Sequence, residues 1–179
     1  MKEFWQDLKQ AIRTVPDFPI PGIQFRDITS LIENPLAFNK ALVDLTNVAF
    51  QGTKIIGIES RGFVFGAPLA RDMDVPFIMA RKPGKLPNET YKKEYQLEYG
   101  TAKIELQCDC IHDGEKIIII DDLCATGGTV LSVINTIQKN WKANILAVGC
   151  LVDLPDLGGS ERIKSLGIPF YSAVEYQGT

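Results

Sequence analysis

Ile117-Ile-Ile-Ile-Asp-Asp-Leu-Cys-Ala-Thr-Gly-Gly-Thr129 is the stretch that decides the fold of this chain. Its four isoleucines are β-branched and apolar on both faces of a strand, which is typical of a central strand covered by helices on each side. Asp121 and Asp122 follow, where such a strand is expected to end. Because ligands of open α/β sheets bind at the carboxyl ends of the strands, we expect both carboxylates in a ligand crevice.

The residues after Cys124 are typical of a turn that binds an anion. They are Ala125, Thr126, Gly127, Gly128 and Thr129. A tight turn here would point several backbone N–H groups and two hydroxyls at one spot, where a phosphate fits. Apolar residues then recur at helical spacing from Val130 to Trp141. The turn therefore opens a helix, whose N-terminal dipole adds to the attraction for an anion.

The two common nucleotide-binding loops do not fit this segment. No lysine follows Gly127 or Gly128, as a P-loop requires, and the G-x-G-x-x-G spacing of a dinucleotide site is absent. The remaining alternative is a plain strand-to-helix turn, in which the glycines serve geometry and the aspartates cap the helix. Two adjacent acids at a buried strand end are costly without a ligand, which favours a binding site.

Strand patterns alternate with helix patterns along the chain, which predicts an α/β fold with a doubly wound, mainly parallel, twisted sheet flanked by helices. The predicted strands are 54–58, 76–79, 116–120, 145–152 and 169–174. The predicted helices after them are 62–73, 129–141 and 161–166. Before them, Asn34 is the expected N-cap of a helix that begins at Pro35. Residues 1–179 are predicted to form a single domain.

Two segments depart from this alternation. Residues 1–33, here called the hood, combine an amphipathic helix that ends before Pro16 with a nonhelical surface loop from Phe18 to Thr29. Residues 81–107 begin with a basic run punctuated by Pro and Gly and continue as a hairpin around Gly100. Because a long excursion from a compact domain is more often a functional lid than a connector, we predict a flexible hairpin lid there.

The composition is that of an ordinary globular protein, with 179 residues, 45% of them hydrophobic and 23% charged. A formal net charge of −3 argues against a general nucleic-acid binder. No apolar run is long enough to span a bilayer, and the N-terminus lacks a basic-then-apolar signal. We therefore expect a cytoplasmic protein that contacts neither a membrane nor nucleic acid.

Cys108, Cys110 and His112 are spaced so that a strand could place three metal ligands on one face. The spacing matches no standard zinc pattern, however, and a fourth ligand is not evident. A polar stretch that leads into the turn at Asp113 and Gly114 is the favoured interpretation. We therefore predict no metal bound directly by the protein.

The stretch from Ile117 to Thr129 resembles the phosphoribosyl-pyrophosphate (PRPP) motif of the type I phosphoribosyltransferases. Four further stretches are similar in order and spacing to the adenine branch of that family; they begin at Phe18, Gly57, Ala80 and Leu97, and read FPIPGIQFRDIT, GIESRGF, ARKPGKLP and LEYG. The resemblance covers nearly the whole chain. It implies purine salvage, in which the 5-phosphoribosyl group of PRPP passes to N9 of adenine and gives AMP and pyrophosphate.

The same resemblance implies a role for each site residue. The PRPP phosphate and ribose would be held by Asp121, Asp122, Ala125, Thr126, Gly127, Gly128 and Thr129. Pyrophosphate would be held by Glu59, Ser60, Arg61, Arg81 and Lys85. Adenine would be bound by Gln24, Phe25 and Arg26, with the Phe25 ring stacked on the purine and the backbone of the other two reading its edge. The catalytic residues would be Glu98, Arg61 and Lys85, with Glu98 as the acid or base toward the purine.

Three further expectations come from the family. The peptide bond between Glu59 and Ser60 would be cis. Mg²⁺ would be the cofactor and would be held mainly through PRPP. The chain would act as a homodimer.

Two other functions remain open on the sequence. Phosphoribosyltransferases for hypoxanthine and guanine resemble this chain but have an acidic residue at the position of Ala125, which disfavours them here. The second alternative is a non-catalytic regulator that senses PRPP. Such regulators usually carry an added nucleic-acid-binding domain, for which the short N-terminal segment offers no room.

Overall fold

The computed structural model describes residues 8–49, 51–97 and 100–177. The elements in chain order are β1 (Arg13–Pro16), β2 (Gln24–Asp27), α1 (Thr29–Ile32), α2 (Pro35–Ala49), β3 (Lys54–Ile58), α3 (Gly62–Asp72), β4 (Phe77–Ala80), β5 (Thr90–Leu97), β6 (Gly100–Gln107), β7 (Lys116–Cys124), α4 (Gly128–Asn140), β8 (Asn144–Asp153), α5 (Gly159–Lys164) and β9 (Phe170–Glu175). Short 3-10 helices lie at Leu8–Ala11 and Pro155–Leu157.

The centre of the molecule is a five-stranded sheet in the order β4-β3-β7-β8-β9. All four neighbouring pairs in it are parallel, which confirms the predicted sheet. From β3 the chain crosses over to β4 on one side, and from β7 it crosses over to β8 and β9 on the other side. The direction of winding thus reverses between β3 and β7. Ligand crevices of such sheets form at this reversal, outside the carboxyl ends of the strands.

Alternate isoleucines of β7 pack into two separate cores, one on each face of the sheet. Ile118 and Ile120 belong to the core formed with α2 and α3, whereas Ile117 and Ile119 belong to the core formed with α4 and β6. All four are fully buried. An uninterrupted apolar run is therefore what this strand requires.

β7 continues to Cys124, four residues past the predicted end at Ile120. Its pairing with β3 ends at Ile120, but its pairing with β8 runs on to Cys124, opposite Asp153. The prediction that the two aspartates follow the strand was therefore wrong, because hydrogen bonds from one neighbour carry the strand through them.

The hood differs from its prediction. The first half of the predicted amphipathic helix lies outside the described residues, which begin at Leu8 with a 3-10 helix to Ala11. Arg13–Pro16 then forms a strand that pairs antiparallel with Gln24–Asp27. The expected nonhelical loop thus includes one strand of a hairpin and the start of α1. The hairpin shares no strand pair with the central sheet.

The hairpin predicted within residues 81–107 is present as β5 and β6, paired from Thr90 opposite Gln107 to Leu97 opposite Gly100. Its base is part of the core, because Ile104 and Leu106 are buried beside α4. The helix predicted to begin at Pro35 is also confirmed, and Asn34 Oδ1 accepts hydrogen bonds from the N–H groups of Leu36 and Ala37. None of the helices in the described ranges combines the length and apolarity needed to cross a membrane.

Candidate active site

Two chain segments meet at the reversal point of the sheet. One is the turn of Glu59, Ser60 and Arg61 after β3, and the other is the carboxyl half of β7. Gly62 begins α3 against β7 so closely that a Cβ there would lie 2.7 Å from the Ile120 carbonyl oxygen. The peptide bond between Glu59 and Ser60 is cis, as predicted. The two predicted parts of the site are therefore brought together.

The acidic pair is buried. Asp121 and Asp122 are 8% and 6% exposed, and the Asp122 N–H donates to Asp121 Oδ1 at 2.9 Å. Arg61 Nε lies 3.0 Å from Asp122 Oδ2. Burial, and then the Asp122 charge, raise the pKa of Asp121 well above its usual range. Burial also raises the pKa of Asp122, although the Arg61 guanidinium opposes that rise.

The loop after β7 encloses a cavity of about 130 Å³, here called the loop cavity, which is lined by Asp121 and by residues from Leu123 to Val130. Gly127 adopts φ = 75°, a left-handed conformation that favours glycine, and its carbonyl accepts from Leu131 N–H in the first turn of α4. The cavity thus lies at the N-terminus of a thirteen-residue helix. That arrangement is suited to an anion.

Residues of α5 support the loop that follows β7. Gly159 N–H donates to the Ala125 carbonyl at 3.1 Å, and Arg162 Nη1 donates to the Thr126 carbonyl at 3.1 Å. A Cβ at Gly159 would overlap the Ala125 carbonyl oxygen and lie 2.6 Å from Gly127 N. This support was not predicted, although the adjacent Gly158 and Gly159 at the start of α5 are a signal that could have indicated it.

A polar cavity of about 310 Å³, here called the central cavity, adjoins the acidic pair. Its lining comprises Ile58, Glu59, Ser60, Arg61, Lys82, Asp121, Asp122, Leu123 and Thr129. Lys82 was not among the predicted site residues, although it lies in the predicted basic run. Nothing in the sequence distinguishes it from Arg81 and Lys85, since the direction of a loop side chain depends on tertiary contacts.

The side chain of Arg81 points toward Glu59, and Arg81 is not among the residues that line the central cavity. Arg81 Nε and the Lys82 N–H each donate to Glu59 Oε2 at 3.0 Å, and Arg81 Nη1 donates to the Lys85 carbonyl at 3.1 Å. Burial alone would raise the pKa of Glu59, but these hydrogen bonds hold it below its ordinary value. Glu59 thus fixes the start of the basic run, with Lys82 at the central cavity.

A third cavity, of about 400 Å³, lies beneath the hood and is here called the hood cavity. It is lined by Val15, Phe18, Phe25, Asp27, Ile28, Thr29 and Arg61. Phe18 and Phe25 meet edge to face, with ring centroids 5.0 Å apart, and Arg61 Cζ lies 5.7 Å from the Phe25 centroid. Arg61 therefore borders both the hood cavity and the central cavity.

The predicted base-binding residues divide into two groups. The side chain of Phe25 lines the hood cavity, whereas the side chain of Arg26 is directed to Thr14 and Tyr176. The backbone roles predicted for Gln24 and Arg26 stay predictions. Glu98 lies outside the described residues.

The metal alternative at Cys108, Cys110 and His112 receives no support. Burial raises the pKa of the Cys110 thiol to about 11. Within the described ranges, no three His, Cys, Asp or Glu residues are grouped so that they could hold a metal ion.

Comparison with known proteins identifies the family of this fold and site. The family model of the phosphoribosyl transferase domain matches residues 33–165. The adenine phosphoribosyltransferase of Serratia proteamaculans is 46% identical over 176 residues, which cover 97% of this chain and 88% of that protein. The crystal structure of the enzyme of that name from Rhodothermus marinus is 42% identical, with a TM-score of 0.87 and coverage of 94% of this chain and 96% of its own. The one from Saccharomyces cerevisiae, complexed with an imino-altritol bisphosphate and adenine, is 35% identical, with a TM-score of 0.84 and coverage of 93% and 96%.

Proposed function

This chain belongs to the adenine phosphoribosyltransferase family, and on that premise we propose how its cavities hold the two substrates. The enzyme transfers the 5-phosphoribosyl group of PRPP to N9 of adenine and gives AMP and pyrophosphate. The observation that supports our assignment most is the position of Arg61 between the hood cavity and the central cavity. N9 of a base in the first would then face C1′ of PRPP in the second.

We assign the 5′-phosphate of PRPP to the loop cavity, where Thr126, Gly127, Gly128 and Thr129 offer backbone N–H groups and two hydroxyls. Ala125 would contribute its backbone to the same loop. Asp121 and Asp122 would accept hydrogen bonds from the ribose hydroxyls. As C1′ loses its leaving group, positive charge develops on the ribose ring, and nearby carboxylates stabilise it. The phosphate anchors a part of PRPP that does not react and so positions C1′.

We assign the pyrophosphate group to the central cavity, with Ser60, Arg61 and Lys82 in its lining. Negative charge grows on the departing oxygen, which the Arg61 and Lys82 cations would stabilise and to which the Ser60 hydroxyl could donate a hydrogen bond. Arg81 and Lys85 would act beside them, with Glu59 holding the start of the run in place. The hairpin of β5 and β6 would close over the site as a lid.

Mg²⁺ fits this site as a companion of PRPP. Asp121, Asp122 and Glu59 supply carboxylate oxygens around the central cavity, and Mg²⁺ in enzymes is commonly held by one or two carboxylates together with substrate phosphates. When bound, the ion would neutralise charge on the pyrophosphate oxygens. Glu59 is already engaged with Arg81 and Asp122 with Arg61, so the ion would be held mainly through the phosphates of PRPP.

We assign adenine to the hood cavity, stacked on Phe25. Stacking contributes about 1–3 kcal/mol and does not identify the base. Identity would come from the backbone of Gln24 and Arg26, because a fixed carbonyl accepts from the adenine amino group and repels the carbonyl of hypoxanthine. The yeast relative is complexed with adenine and a bisphosphate together, which supports a site that holds a base and phosphate groups at the same time.

Glu98 is our candidate for proton transfer to or from the purine. We expect Glu98→Leu to lower kcat about a hundredfold, the lower end of what general acid–base catalysis supplies, and to leave the KM for PRPP unchanged. Steady-state kinetics with each substrate varied would measure both. An unchanged kcat would remove Glu98 from the mechanism.

Lys82→Ala is expected to raise the KM for PRPP about tenfold, because a charge-assisted hydrogen bond to the pyrophosphate would be lost. Lys40→Ala serves as the matched control, since Lys40 pairs with Asp44 on the surface of α2. The KM for adenine should stay unchanged in both variants. Equal PRPP kinetics in the two variants would exclude Lys82 from the pyrophosphate site.

From the same family we propose that residues 1–179 form one domain and that the enzyme is a cytoplasmic homodimer that does not bind nucleic acid. Light scattering after gel filtration would give twice the chain mass of 19.9 kDa for a dimer. A single-chain mass at working concentration would contradict it.

The assay that tests the function measures pyrophosphate released from PRPP and Mg²⁺, with adenine, hypoxanthine, guanine, xanthine and orotate offered separately. Release with adenine alone, accompanied by AMP, is the expected result. Release with another base would overturn our assignment of the hood cavity. PRPP binding without release for any base would indicate a sensor instead of an enzyme.

A further inference from the structure

The hood has one face toward the hood cavity and one face toward Tyr176, near the carboxyl end of the chain. Successive side chains of a strand point to opposite faces, and in β2 the ring of Phe25 lines the hood cavity while the side chain of Arg26 points away from it. The backbone between these two side chains is the segment that we assign to reading adenine. Whatever holds Arg26 on the far side therefore also holds that backbone.

Tyr176 holds it. The Arg26 guanidinium carbon lies 4.1 Å from the centroid of the Tyr176 ring, a cation–π contact, and Arg26 Nη1 donates to Thr14 Oγ1 at 2.6 Å. The Tyr176 hydroxyl donates to the Lys9 carbonyl at 3.3 Å, and Lys9 Nζ lies 5.5 Å from the same ring. One aromatic ring thus contacts two parts of the hood.

The ring itself is attached to the central sheet. Tyr176 directly follows β9, at the carboxyl end where the substrate crevice lies, and its N–H donates to the Asp153 carbonyl at 3.0 Å. The hood hairpin shares no strand pair with that sheet. A two-stranded hairpin is only marginally stable alone, so side-chain contacts must fix its position.

We propose that Tyr176 is a positioning residue for adenine: its ring fixes the Arg26 side chain against the central sheet and thereby sets the backbone of Gln24–Arg26 for recognition of the base. The inference rests on our assignment of adenine to the hood cavity. It predicts a specific kinetic pattern, because PRPP binds to loops that Tyr176 does not support.

Tyr176→Ala is expected to raise the KM for adenine about tenfold, the upper part of the range for a partly buried cation–π contact, and to leave the KM for PRPP within about twofold. It should also weaken the discrimination against hypoxanthine. Tyr176→Phe keeps the ring and should leave the adenine KM within about twofold of wild type. Tyr171→Ala is the matched control, because it removes an exposed tyrosine from the opposite end of β9.

Arg26→Met tests the same contact from the hood, and it also covers the case in which Tyr176→Ala does not fold. It should raise the adenine KM to a similar extent, and the double variant should add little to either single change. A general structural role would instead lower the thermal stability and raise both KM values together. That result, or an unchanged adenine KM in Tyr176→Ala and Arg26→Met, would overturn the proposal. Wild-type protein that does not use adenine would overturn the assigned function itself, which separates the two failures.

Discussion

Replacing Gly159 with alanine is expected to lower kcat/KM for PRPP about a thousandfold, although Gly159 lies outside the substrate cavities. The new Cβ would overlap the Ala125 carbonyl oxygen and would lie 2.6 Å from Gly127 N, where ordinary contact begins at 3.4 Å. Both of these atoms belong to backbone, which cannot rotate away. The loop must therefore move by about 1 Å, a displacement that can cost a hundredfold in rate by itself, and the proposed anchor for the PRPP phosphate would be weakened as well.

Gly158→Ala is the matched control for this prediction. Gly158 has φ = 72°, so alanine there costs about 1–2 kcal/mol of stability, but nothing lies within 4 Å of the new Cβ. We expect lower thermal stability with PRPP kinetics close to wild type. Circular dichroism would establish that Gly159→Ala is folded. A folded Gly159→Ala protein with wild-type PRPP kinetics would contradict the proposed role of the loop.

The central strands and the acidic loop could be predicted from sequence because their signals are local. Ile117–Ile120 is apolar on both faces, and the strand predicted at Lys54–Ile58 has the predicted bounds. The extension of β7 through Asp121 and Asp122 could not be predicted in the same way, because it depends on hydrogen bonds to β8 alone. The sequence of one strand does not determine which residues of a neighbouring strand will pair with it.

The hood was predicted poorly for a related reason. β1 and β2 are short, largely polar strands of four residues each, and they lack the alternation of a half-buried strand. Their pairing is determined by packing on the core through Ile12 and Ile28 and by the distant Tyr176. The supporting contacts of Gly159 and the direction of Lys82 were likewise missed, since they depend on which loops the fold brings together.

Asp121→Asn is expected to lower kcat about 300-fold and, at the same time, to make the protein more stable at pH 7. In the proposed mechanism, loss of the carboxylate removes negative charge near the ribose as it becomes cationic, and losing one such electrostatic contribution typically costs a hundredfold to a thousandfold. The asparagine oxygen can still accept from the Asp122 N–H, as Asp121 Oδ1 does at 2.9 Å. The local backbone should therefore remain in place.

The gain in stability follows from the raised pKa of Asp121, which burial and then the neighbouring Asp122 charge produce. In the unfolded chain this carboxyl titrates near its ordinary value of 3.8. Between that pH and the raised pKa, the folded state binds more protons than the unfolded state, so the stability of the wild type falls as pH rises. The substituted amide carries no such charge, and we expect the advantage of Asp121→Asn at pH 7 to be about 1 kcal/mol, or about 3 °C in Tm, and to vanish toward pH 4.

Asp122→Asn separates the two effects, because Asp122 has a direct partner in Arg61 at 3.0 Å. Removing this carboxylate should also lower kcat, but it leaves Arg61 without its ion pair, so we expect no gain in Tm at pH 7. Thermal unfolding of the wild type and both variants at pH 4 and pH 7, together with steady-state kinetics, makes the comparison. If Asp121→Asn kept full activity, Asp121 would have no role in the reaction. If the variant were less stable than the wild type at pH 7, the buried charge of Asp121 would not be what lowers the stability of the wild type.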